Sequence, residues 1–122
     1  MDYADFLSRV EEQSGLDTDD ADQAVVATLS TLAERISEEE AADLAAQLPG
    51  ELKPQFDGAS ADAEIFDARE FLRRVAERAS TSTDKARESA EAVLTALREA
   101  ISGGELEDIL LQLPDDYLEL FA

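Results

Sequence analysis

The sequence repeats itself at a spacing of 65 residues without a gap, which limits the possible folds more than any other property of the chain. Phe6, Leu7, Arg9, Val10, Thr18, Asp19, Ala21, Leu29, Leu32, Ile36, Ser37, Glu40, Asp43, Gln47, Leu48, Pro49 and Phe56 all recur. Their counterparts are Phe71, Leu72, Arg74, Val75, Thr83, Asp84, Ala86, Leu94, Leu97, Ile101, Ser102, Glu105, Asp108, Gln112, Leu113, Pro114 and Phe121. Most are apolar residues at helical spacing or helix-start residues, so a piece of architecture has been duplicated more than a piece of chemistry. The chain has 122 residues, and one repeat of about 55 patterned residues would be marginal alone. The expectation is one domain over 1–122, with repeat one at 1–56, a linker at 57–65 and repeat two at 66–122, sharing a core about a pseudo-twofold axis.

Each repeat reads as three helices followed by a short helical turn, and no segment alternates with the period of a strand, so the fold class is all-α. Tyr3, Phe6, Leu7 and Val10 share one face of the first helix, as do Ala68, Phe71, Leu72 and Val75 in its copy. Asp2 and Asp67 stand as N-caps, with Met1 and Phe66 placed to staple onto Phe6 and Phe71, and Glu70 placed to close a capping box. Gly15 marks a helix end.

The second helix starts at Thr18 or Asp19, and its copy at Thr83 or Asp84. Its stripe is Val25, Leu29, Leu32 and Ile36, matched by Ala90, Leu94, Leu97 and Ile101. Ser37 with Glu40 and Ser102 with Glu105 fit the Ser-x-x-Glu capping box and start the third helices, with Gly103-Gly104 read as a tight interhelical turn. The third stripes are Ala41, Leu44, Ala45, Leu48 and Leu106, Ile109, Leu110, Leu113. Ala41, Ala45 and Ala46 stand where the other copy has Leu106, Leu110 and Leu111, and such large-against-small pairing would fill a shared core. After Pro49 and Pro114, Leu52 and Phe56, or Tyr117, Leu118 and Phe121, are expected to close over that core.

Thirty acidic residues face ten basic ones, and the net charge is −20. Residues 1–65 carry 17 acids and 3 bases, net −14, while residues 66–122 carry 13 acids and 7 bases, net −6. Concentrated cations would screen this repulsion, since the Debye length falls to ~3 Å at 1 M salt. Acids scattered over every exposed face with the apolar stripes intact point to a high-salt cytosol; an acidic partner of something basic is the competing reading. Nucleic-acid binding needs clustered Lys and Arg, and neither the composition nor any apolar run supports nucleic acid or membrane as a partner. No basic, apolar leader opens the sequence, and a cytoplasmic location is expected.

The Phe-Leu-x-Arg-Val opening resembles the prokaryotic family called domain of unknown function 2267. So do the Leu-x-x-Leu-x-x-x-Ile second helix, Ala-Gln-Leu-Pro over 46–49, Leu-Gln-Leu-Pro over 111–114 and Ile-Ser-Gly-Gly-Glu over 101–105. The resemblance covers nearly the whole chain and implies an all-helical fold without an established activity. It transfers no catalytic residue.

The chain has no His and no Cys, which removes the usual general base, thiolate nucleophiles and zinc ligands. No cofactor is expected, and the chain does not read as an enzyme. Asp17 could open a calcium loop only with Gly and Glu where Asp22 and Thr28 stand. Glu38, Glu39, Glu40 and Asp43 could gather a hard cation loosely, but helix capping and hydration account for them. Gln47 and Gln112 are placed to satisfy backbone groups at a helix end, with ligand contact the alternative. Arg9 and Arg74 are expected to reach carboxylates at the edge of the core.

Two features point to a partner. Arg69, Arg73, Arg74 and Arg78 concentrate positive charge on one helix, either pairing internally with neighbours such as Glu70 or docking on an acidic surface. Leu111 lies off the stripe of its helix, and the second surface it implies is the other repeat or a second copy. The expectation is a protein-interaction or structural domain, binding an unidentified protein or itself as a homodimer; the alternative is a small apolar ligand held between the repeats.

Overall fold

A computed structural model describes residues 1–121. The chain is all-helical, and no strand occurs among the described residues. The α-helices are α1 (Tyr3–Ser14), α2 (Thr18–Arg35), α3 (Glu38–Gln47), α4 (Ala68–Arg78), α5 (Thr83–Ala100) and α6 (Gly103–Leu111). A 3-10 segment follows α3 at Gly50–Phe56 and another follows α6 at Asp115–Phe121. Helix starts in the two halves are 65 residues apart in all three pairs, because residues that can cap a helix stand at the same places in both. Asp2 and Asp67 cap α1 and α4, Asp17 and Ser82 cap α2 and α5, and Ser37 and Ser102 cap α3 and α6.

The first helices end differently. Gly15 closes α1 at φ 75°, where a glycine carries no Cβ penalty. At the equivalent place Ser80 adopts φ 53°, held by two backbone bonds, Ser80 N–H to Glu77 O and Thr81 N–H to Ala76 O, that together form a Schellman end.

One cluster of buried residues spans both halves. Phe6, Leu29, Leu32, Phe71, Leu94 and Leu97 are wholly inside it. Helix α1 packs on α5 and α4 packs on α2, while α2 meets α5 and α3 meets α6. These contacts exchange partners under the 65-residue shift, and some polar bonds follow the same rule. Arg9 pairs with Glu99 and Arg74 with Glu34, two ion pairs that map onto one another between the repeats.

Several local expectations need correction. Met1 is half exposed and does not join the residues packed on the core, whereas Phe66 does. Glu70 does not complete a capping box: its backbone N–H bonds to Asp67, but its carboxylate goes to Arg73 and Arg74. Gly103 and Gly104 are the first two residues of α6, so the interhelical turn is only Ile101 and Ser102. The closing segment buries Tyr117, Leu120 and Phe121 and leaves Leu118 half exposed. Its 3-10 repeat of three residues puts Leu120, not Leu118, on the face of Tyr117.

Large-against-small filling between α3 and α6 is also only partial. Ala41 is buried and Ala45, Leu106 and Leu110 are half-buried, but Ala46 and Leu111 both face outward.

Candidate functional site

The most unusual chemistry lies where α3 meets α6. In each helix the N-cap serine accepts a bond from the third residue, with Glu40 N–H 3.2 Å from Ser37 Oγ and Glu105 N–H 3.1 Å from Ser102 Oγ. A full capping box would return each glutamate side chain to the serine N–H. That donor is already taken. Gln112 Oε1 accepts from Ser37 N–H at 2.9 Å, and Gln47 Oε1 accepts from Ser102 N–H at 2.8 Å. Gln112 Nε2 also donates to Ser37 Oγ at 3.2 Å. The glutamines of the two Gln-Leu-Pro motifs thus cap helix starts in the opposite repeat, where the local reading placed them at the nearby helix end.

Losing Gln112 would leave Ser37 N–H without its partner in a half-buried setting. Gln112→Ala is expected to lower stability by about 1 kcal/mol. A urea midpoint in molar salt measures this, and an unshifted midpoint would show that water replaces the amide at no cost.

Displaced from their serines, the two glutamates turn inward. Glu40 is 8% exposed and Glu105 is 6% exposed. Oε1 of each is buried without a hydrogen-bond partner. One carboxylate oxygen from each of Glu40, Glu105 and the exposed Asp43 lies within 4.8 Å of the other two. Burial pushes the Glu105 carboxyl up to about 7, helped by the neighbouring Glu40 carboxyl and by the charges of Asp43 and Asp108. Among the described residues no Arg or Lys forms an ion pair with any of the three clustered acids.

Of Glu38, Glu39, Glu40 and Asp43, which the sequence offered as loose cation candidates, only Glu40 and Asp43 belong to the cluster, and Glu105 was missed. The signal was present: Glu40/Glu105 and Asp43/Asp108 both recur at 65 residues, and equal positions on two facing helices can meet.

The arginine cluster is largely occupied. Arg73 binds Glu70 and Glu77, Arg74 binds Glu34, Glu64 and Glu70, and Arg78 binds Glu34 and Thr31. Arg74 also lies 4.0 Å from the centre of the Phe66 ring. Hydrogen bonds from Arg73 and Arg74 lower the Glu70 carboxyl to about 2. Arg69 is exposed and forms no ion pair among the described residues. Leu111 is 84% exposed at the end of α6.

A cleft of about 470 Å³ opens between the repeats, where Ser14, Leu16 and Asp20 face Ala79, Thr81 and Lys85. None of the clustered carboxylates lines it.

The family described as "Uncharacterized conserved protein (DUF2267)" is matched over residues 3–120. The chain belongs to the domain of unknown function 2267 family. The match runs from the start of α1 to within a residue of the end of the second 3-10 segment, so the family's span takes in both repeats and the α3–α6 junction. No curated protein matches the chain. No helix is long and apolar enough to cross a membrane among the described residues.

Proposed function

We propose that this chain is a non-catalytic interaction domain of a high-salt cytosol, built from two repeats about a pseudo-twofold axis and docking on a second copy of itself through α6. The observation that carries the reading is Leu111, 84% exposed at the end of a helix whose Leu106 and Leu110 are only half-buried. Together these leucines extend apolar surface beyond the core. A second copy is favoured as occupant because repeat two carries net −6 against −14 for residues 1–65, so like copies approach there at the least electrostatic cost.

The exchanged contacts between repeats support the pseudo-twofold arrangement. A non-catalytic role is supported by the separation of the carboxylate cluster from the inter-repeat cleft, since a general acid must reach its substrate. The cleft keeps a ligand-binding alternative in view, with Leu16, Ala24 and Ala79 as apolar wall beside the polar Asp20, Gln23, Thr81, Lys85 and Glu88.

Sedimentation in molar salt tests the docking. The wild type is expected to run as a dimer, and Leu111→Asp as a monomer with unchanged helicity, because Leu111 makes no part of the core. A wild-type monomer at high protein concentration would overturn the proposal.

A further inference from the structure

We infer that Glu40, Asp43 and Glu105 form a site for one hard divalent cation of calcium's size, clipping the third helix of one repeat to that of the other. The argument rests on more than the presence of acids. Glu40 and Glu105 are each over nine-tenths buried, and each keeps a buried Oε1 with no partner. One carboxylate oxygen of each, from different helices, also lies within 4.8 Å of the other and of one from the exposed Asp43.

A buried carboxylate pair is costly to ionise without a counter-charge, and among the described residues no arginine or lysine pairs with it. The arginines are instead drawn to Glu34, Glu64, Glu70 and Glu77, among others. A cation between the three carboxylates would neutralise them together and offset the repulsion that Asp108 adds.

Coordination chemistry favours calcium. Three oxygens within 4.8 Å of one another are close enough for one cation to draw together, and calcium, with bonds of about 2.3–2.6 Å and tolerance for irregular geometry, asks for less rearrangement. Magnesium at about 2.0–2.1 Å would pull the helices closer and demands stricter octahedral geometry. Asp43 is exposed, giving the ion an entry path and leaving room for water to complete its coordination. The 65-residue repeat itself creates the site, because duplicating Glu40 as Glu105 places like charges on facing helices that a cation can then hold together.

The test is calorimetric titration of calcium chloride into chelator-treated protein. It is run in about 2 M potassium chloride, where surface acids are screened, and above about pH 8, where protons compete less. One saturable event per chain is expected, with the melting temperature rising by about 10 °C at a hundredfold excess over Kd. Asp43→Asn, which alters only an exposed side chain, should weaken binding by about tenfold or more, and Glu105→Gln should abolish it. Glu39→Gln, an exposed change on the same helix, should leave it intact. Absence of a saturable event in the wild type, or equal calcium binding by Asp43→Asn, Glu105→Gln and Glu39→Gln, would overturn the inference.

Discussion

In about 20 mM salt the chain is expected to lose most of its helix, and to regain it cooperatively as potassium chloride rises to molar concentration. Only seven of thirty acids, Glu12, Glu34, Glu64, Glu70, Glu77, Glu91 and Glu99, form an ion pair among the described residues. The rest repel one another across a body whose radius of gyration, at this length, is about 14 Å. At 0.01 M salt the Debye length is ~30 Å, so every acid feels every other; at 1 M it is ~3 Å and only immediate neighbours interact. A domain stabilised by about 5–15 kcal/mol has little margin against such repulsion. Circular dichroism at 222 nm across a salt series measures the effect. Full, cooperative folding at about 20 mM would remove the basis for placing the chain in a high-salt interior.

The core was legible because it is written in a local code. A 3.6-residue period and a fixed offset were enough to place Phe6, Leu29, Leu32, Phe71, Leu94 and Leu97 inside, and all six are fully buried. The starts of the first and third helices followed from Asp and Ser at cap positions, and the second helices start at Thr18 and Thr83 as read, capped by Asp17 and Ser82 just before them. What escaped was set by competition between distant groups. Ser-x-x-Glu predicts a glutamate returning to its own serine, yet Gln112 reaches Ser37 from 75 positions away and wins that donor. Glu40 and Glu105 then become a buried pair, a consequence invisible without knowing that α3 faces α6. Leu118 escaped for a different reason, since the three-residue 3-10 repeat sets Leu120 rather than Leu118 beside Tyr117.

The arginines illustrate the same limit. Glu70 with Arg74 was readable as an i,i+4 pair, whereas Glu34 with Arg74 and Arg78 required the packing of α2 on α4. Of the four arginines and one leucine read as an interaction surface, Arg73, Arg74 and Arg78 are committed within the chain; Arg69 and Leu111 face outward. The charged half of that surface is therefore thinner than the sequence implied, and the apolar half is intact.

Truncating Leu94 to alanine is expected to cost about 2–5 kcal/mol, the largest single-residue loss among the substitutions considered. Leu94 is 0% exposed on α5, a helix that touches α1, α2, α4 and the closing 3-10 segment, so surroundings pinned from four sides can relax little into the space left behind. Its counterpart Leu29 is equally buried on α2 and should cost a similar amount if both repeats depend on one core. Leu111→Ala, at an exposed position, should stay within about 0.5 kcal/mol. Urea in molar potassium chloride is the appropriate denaturant, because guanidinium chloride would itself screen the acids and add stability as it removes it. The midpoint should fall with the slope unchanged. A loss confined to Leu94→Ala, with Leu29→Ala near neutral, would mean that the halves unfold separately; an unchanged midpoint for Leu94→Ala would mean that α5 turns another face to the core.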